Sequence, residues 1–170
     1  MKSRLIIFLL GIFSVIVSGC VSTPDAEVLG ELKKWHKVTL IFDGPATDEL
    51  AEENPFLDYR LDVTFVNGNE RFVVPGFYAA DGMAAETSAT AGNKWMTRFT
   101  PNKTGEWSFS VSFKKGNEIA IANQYVDAQS AGFMDGMEGS FQIADTDKTG
   151  IDKRAKGRLK NVGDRYLQYE

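Results

Sequence analysis

Few side chains in this sequence could do chemistry, and their spacing argues against most of it. Asp81, Glu86, Asp135 and Glu138 sit in or beside stretches of loop composition. Two carboxylates can share acid and base work when they flank one substrate about 5–9.5 Å apart. No such spacing between these four follows from the sequence. The single histidine, His36, opens a strand-like run, which leaves a Ser-His-Asp arrangement one badly placed base. One His and one Cys cannot form a recurring His/Cys ligand cluster. The acidic loop from Ala46 to Phe56 carries Asp48, Glu49, Glu52 and Glu53. Hard oxygen ligands suit calcium, but this spacing fits no calcium-loop motif, and such runs are usually solvated. A Gly-rich phosphate loop is absent. The chain reads as non-catalytic as it stands, with neither metal nor cofactor expected.

The lone cysteine has a different use. Lys2 and Arg4 precede an apolar run from Leu5 to Val17, and Val17-Ser18-Gly19-Cys20 follows. That is the grammar of an export signal, too short for a comfortable membrane span. The tetrad looks like a bacterial lipobox, with residues 1–19 removed and Cys20 becoming the lipidated first residue. A single Cys in an exported chain makes no internal disulfide. Val21 resembles the residue that lets such lipoproteins proceed to the outer membrane. Loss of Lys2 and Arg4 takes the formal charge from −4 to −6. An acidic domain without a basic stripe does not suit nucleic acid.

The elements that must position everything else are β-strands. In Gly105 to Phe113, Trp107, Phe109, Val111 and Phe113 alternate with polar residues, so one face is buried and the other wet. Trp95, Thr97 and Phe99 share a face of the preceding run, with Met96, Arg98 and Thr100 on the other. Thr100 to Gly105 supplies the turn between them. An earlier strand, His36 to Asp43, points Val38, Leu40 and Phe42 inward and is expected to stop at Gly44-Pro45. Tyr59 to Asn67 points Tyr59, Leu61, Val63 and Phe65 inward, leaving Arg60, Asp62 and Thr64 outside. Asn67-Gly68-Asn69 reads as a type I′ hairpin turn, and Arg71 to Val74 returns until Pro75-Gly76. Glu138 to Ala144 is a last strand, and Ile119 to Tyr125 is weakly strand-like. Phe77 to Asn93 has no period and reads as a long loop, of the kind that is functional or interface-forming. Val28, Leu32 and Trp35 are spaced for a short helix.

Several separated motifs resemble one known family. They are Asn54-Pro55-Phe56-Leu57-Asp58-Tyr59-Arg60-Leu61, Val74-Pro75-Gly76-Phe77-Tyr78-Ala79-Ala80-Asp81-Gly82, Gly92-Asn93-Lys94-Trp95, and Phe99-Thr100-Pro101 through Gly105-Glu106-Trp107. Together they look like the bacterial domain of unknown function numbered five-zero-six-zero. Asp135-Gly136, Gly139-Ser140-Phe141 and Arg165-Tyr166-Leu167 resemble that module's end, so the likeness runs from about Trp35 to Glu170. The resemblance implies an all-β, immunoglobulin-like antiparallel sandwich at the N-terminus of large secreted or lipidated glycoside hydrolases. It implies a downstream hydrolase domain as partner, and no hydrolase activity in this chain itself.

The expected organisation is a leader over 1–19, a tether over 20–35, the sandwich over 36–144, and a charged linker with a first strand of something further over 145–170. Two binding roles remain open. One is a structural module whose Phe77–Asn93 and acidic loops pack on a catalytic domain. The other is a polysaccharide-binding module, in which sugar rings stack on exposed aromatics. Trp95 and Trp107 match the inward face, Trp35 suits the sandwich base, and Tyr125 has no assigned partner. Tyr78, with Asp81 and Asn93 around it, is the candidate contact for either carbohydrate or a domain interface.

Overall fold

The computed structural model describes residues 26–122 and 128–169. The leader, Cys20 and Tyr125 lie outside the described residues.

Two antiparallel sheets face each other. The first contains β1 (Glu27–Leu29), β2 (Val38–Asp48), β6 (Ala91–Phe99) and β5 (Phe77–Tyr78), in that order. The second runs β4 (Glu70–Pro75), β3 (Tyr59–Asn67), β7 (Gly105–Lys115), with β9 (Glu138–Ile143) and the short β8 (Gln129–Ser130) sharing the far edge of β7. This is the A-B-E-D against C′-C-F-G order of immunoglobulin-type sandwiches. The expected all-β antiparallel sandwich is what the chain forms.

The period-two runs place the core as the sequence requires. Val38, Leu40 and Phe42 meet Leu61, Val63 and Phe65 across the inter-sheet space, with Trp107 and Phe113 wholly buried. Phe65 stacks on Phe99 with ring centroids 4.3 Å apart, and Trp95 meets Phe113 edge-on at 4.8 Å. Each pair joins one sheet to the other, so the rings fix the sheets' separation and their register together.

Several local expectations need correction. Residues 27–29 form β1 rather than a helix, paired with β2 from Glu27↔Ile41 to Leu29↔Thr39. A free sheet edge satisfies backbone groups that an isolated turn of helix would leave open. Gly44-Pro45 does not end β2. A register shift between Asp43 and Thr47 absorbs the dipeptide as a bulge, and the strand continues to Asp48. Glycine is required there because a Cβ on Gly44 would run into the Trp95 indole. The β3–β4 hairpin closes from Asn67 to Glu70, and of its two central residues only Gly68 has positive φ, at 57°. That is the pattern of a type II′ turn, not I′. Asp62 is buried rather than wet, because Arg60 Nε donates to its carboxylate at 2.9 Å. Met96 is also buried on the outer face, beneath the turn at Gly82.

The stretch from Phe77 to Asn93 is less irregular than its composition suggests. It contains β5, one helical turn α1 (Ala84–Thr87) and the first residues of β6. Ile119 to Ala122 is a turn, not a strand, held by Ala120 N–H on Leu57 O at 2.9 Å.

The charged segment after residue 144 is not a plain linker. Lys33 bonds Asp147 at 2.7 Å, and Arg158 donates to Thr100 O at 2.9 Å while lying over the Trp35 and Phe72 rings. Trp35 therefore sits at the sandwich base, as expected, under this returning segment. Residues 159–162 (β10) and 166–169 (β11) then pair as a hairpin, from Leu159↔Tyr169 to Val162↔Tyr166. The tyrosine-bearing strand, expected as the first strand of something further, is thus paired within the described residues.

Trp107 is buried in the aromatic seam, and its indole N–H donates to Lys103 O at 3.0 Å. Trp107→Ala should cost about 3–5 kcal/mol in urea denaturation. A loss well below 1 kcal/mol would contradict its place in the seam.

Candidate functional site

The fold has two poles. Val38↔Phe99 marks one end of the β2–β6 pair and Asp48↔Ala91 the other, roughly 30 Å away at about 3.3 Å per residue. The Phe99–Gly105 turn, Trp35 and the segment after residue 144 gather at the base. The acidic loop, the residues between β5 and β6, and the turn after β7 gather at the opposite, loop pole.

Tyr78 lies toward the loop pole, but inside it. Its ring is 6% exposed and packs on Trp95 at 5.4 Å. Its hydroxyl donates to Thr47 O at 2.6 Å and reaches Gly92 O at 3.3 Å. Burial pushes this phenol's pKa upward. A ring held this way has no face to offer a sugar, so Tyr78 is a core residue that ties β5 to β2 and β6. Alternation along a two-residue strand is too short to reveal such burial in the sequence.

Asp81 is exposed and shapes its own turn. It accepts from Met83 N–H at 2.8 Å and from the Thr87 hydroxyl at 2.7 Å, and these bonds hold its carboxyl below the usual range. Asp81 also borders a groove of about 470 Å³ on the outer face of the first sheet, with Met83, Lys94, Met96 and Arg98. Asn93 donates to Asp43 at 2.9 Å, beside the Lys94–Asp43 ion pair. The three candidate residues are thus neighbours along β5 and β6 without forming one site.

The residue that sequence reasoning missed is Phe56. Its ring stands edge-on against Tyr78, with centroids 5.8 Å apart, and is 49% exposed. Phe56 borders a cleft of about 180 Å³ where the chain crosses from β4 in one sheet to β5 in the other. Arg60, Asp62 and Phe77 also line it. Gly76 makes the crossing possible, because a Cβ there would strike the Leu61 side chain and approach Met96 O to 2.8 Å. The only sequence signal was an aromatic after Asn-Pro in an otherwise acidic loop.

Asp135, His36, Glu31 and Asp147 are held in structural contacts. Asp135 accepts from Phe113 N–H at 2.7 Å and from Lys114 at 2.8 Å, tying the 130–136 turn to β7. His36 is buried, with Nδ1 2.9 Å from Lys34 O and Nε2 3.7 Å from Glu31. Glu31, His36 and Asp147 have ligand-type atoms within 4.8 Å of one another. Lys33 and Lys148 lie against both carboxylates, at 2.7–3.4 Å. The group is therefore an ion-pair knot fastening the later segment to the base. Hydrogen bonds from the two lysines hold the Asp147 carboxyl far below its usual range.

Residues 31–114 match the family model described as a domain of unknown function, DUF5060. The matched region spans β2 to β7 and stops short of the later motifs. A crystal structure from Bacteroides vulgatus, provisionally described as a glycoside hydrolase, is similar at 26% identity and a TM-score of 0.50. That similarity covers 81% of this chain and 19% of the other, so the chain spans about a fifth of that protein. Comparison with curated proteins gives no match.

Tyr59 offers a test of the loop pole. Its hydroxyl donates to Glu53 at 2.5 Å, and Lys115 pairs with the same carboxylate at 3.0 Å. Burial, reinforced by the Glu53 bond, pushes the phenol from 10.0 up to about 12. The folded state then holds a proton that the unfolded chain releases first. The resulting stability is complete below pH 10 and is lost as pH rises toward about 12. Denaturation midpoints across that window should fall more steeply for the parent than for Tyr59→Phe. Parallel curves would mean that burial and the Glu53 bond do not raise the phenol's pKa in the folded state.

Proposed function

We propose that this chain is the non-catalytic accessory β-sandwich of a lipid-anchored, polysaccharide-degrading glycoside hydrolase, packing on the catalytic domain and supporting it. The observation that carries this reading is the β10–β11 hairpin. Tyr166 and Leu167 are 76% and 65% exposed, and Leu159 and Val162 are also open to solvent. Apolar side chains gathered on a small exposed element mark a contact surface. The similarity to one fifth of a longer chain described as a hydrolase supports a catalytic domain as the partner.

The hairpin lies beyond the base of the sandwich, tethered there by Arg158 and the Glu31–Asp147 knot. Docking is therefore assigned to this end. The Phe77–Asn93 and acidic loops are at the other pole, which argues against the packing role first expected of them. The proposed anchor at Cys20 rests on the lipobox-like tetrad and the proposed outer-membrane location on Val21 after it, and the acidic charge disfavours nucleic acid.

Antibody against residues 36–144 should detect, in the membrane fraction of the source cells, a band several times larger than 18.8 kDa. Cys20→Ser should move that band out of the membrane fraction. A band just below 18.8 kDa would remove the covalent catalytic partner, and unchanged fractionation of the variant would remove the anchor. In the longer protein, Tyr166→Ser with Leu167→Ser should lower the melting temperature by a few degrees. The same double change should leave residues 26–144 folded. An unaltered melting curve would sink the hairpin as the docking element.

A further inference from the structure

We propose that the inter-sheet cleft beneath Phe56 binds a single pyranose unit of a glycan chain, stacked on the Phe56 ring. The choice of a sugar over another small polar ring rests on the accessory-module reading. The site itself is separate from the hairpin that the reading depends on.

The first argument is the ring. Phe56 is an exposed aromatic that its surroundings hold still. Its own N–H donates to Asn54 Oδ1 at 2.8 Å. Asn54 O accepts from both Leu57 and Asp58, at 3.1 and 2.8 Å, and Asn54 N–H donates back to the Asp58 carboxylate at 2.8 Å. The preceding Pro55 is buried. One edge of Phe56 is fixed against Tyr78, at an interplanar angle of 75°. A preorganised ring loses little freedom on binding, which is how a small contact becomes useful.

The second argument is size. Drug-sized ligands occupy about 300–1,000 Å³. A cleft of about 180 Å³ holds one ring, with the rest of a chain left outside.

The third is polarity. Sugar hydroxyls both donate and accept, as those of Ser and Thr do. The wall opposite Phe56 carries a guanidinium and a carboxylate side by side: Arg60 Nε donates to Asp62 at 2.9 Å and Arg60 Nη1 donates to Ala122 O at 2.9 Å. Asp62 is 6% exposed, so its carboxylate is fixed out of solvent, while the Arg60 side chain keeps 29% of its surface open. Phe77, with Arg98 5.3 Å over its ring, closes another side. The larger groove beside Asp81 lacks an exposed aromatic among its lining residues.

The cleft opens near the loop pole, away from the base where the hairpin is tethered. A glycan held there would keep the substrate beside the enzyme without competing for the docking surface.

Saturation-transfer NMR on the purified protein, with methyl glucopyranoside, methyl galactopyranoside and methyl glucuronoside as probes, tests this directly. At least one probe should receive saturation at its ring protons. Phe56→Leu keeps an apolar side chain but removes the flat face, and should weaken that probe roughly tenfold. Phe56→Trp should strengthen it. Tyr166→Ser, in the hairpin, should leave it unchanged. Absence of transfer to all three probes overturns the proposal, as does transfer that survives Phe56→Leu undiminished. Neither result bears on hairpin docking, whose readouts are band size and melting temperature.

Discussion

Everything in this domain depends on a seam of aromatic rings between two sheets. Tyr59, Trp95 and Phe113 form one group of mutual ring contacts toward the loop pole, and Phe65, Phe99 and Trp107 another toward the base. Each group takes members from both sheets. Large rings contribute most of the buried apolar area in such a core, and edge-to-face or offset packing constrains their geometry beyond simple burial. Once the seam is set, strand register follows, because a one-residue slip would turn every ring outward.

The seam also explains why the candidate surfaces are peripheral. Both central tryptophans and Tyr78 are consumed in holding the sheets together. What remains for recognition is what the sheets leave uncovered at their ends and crossings. At the base, the later segment is fastened by ion pairs and by Arg158 over two rings, and presents its hairpin to solvent. At the β4–β5 crossing, the sheets part and Phe56 stands over the opening. Surface ion pairs individually contribute little, but at the base they act together with a cation–π contact and a backbone bridge at Lys33 and Ala144. The combination sets where the hairpin emerges.

In the proposed reading the two surfaces divide the work of an accessory module, the hairpin meeting a partner domain and the Phe56 cleft a small polar ring. The family match covers the strands that build the seam, and so accounts for the scaffold both surfaces are mounted on. The similar solved chain extends far beyond the region in common.

Wherever hydrophobic alternation ran for five residues or more, the sequence by itself determined the outcome. The inward faces of Tyr59–Asn67 and Trp107–Phe113 could be read directly, because period two over that length assigns one set of side chains to the core, although Asp62 on the other face of the first strand is buried too. The all-β class was legible for the same reason: it depends on local order. Short or non-local features were not. Val28, Leu32 and Trp35 had helical spacing, yet a free edge of β2 drew residues 27–29 into a strand. Gly44-Pro45 looked like a stop, yet the strand continues through a bulge there, with Gly44 allowing the backbone's close approach to the Trp95 indole. Leu159–Val162 was hidden in a charged run, since its partner, Tyr166–Tyr169, defines it as a strand. Tyr78, expected as a surface contact, lies under Phe56, to which the sequence assigned no role, because β5 adds to the edge of β6. Which of two aromatics is core and which is surface depends on how the sheets cross, and that is settled by contacts between residues distant in the chain.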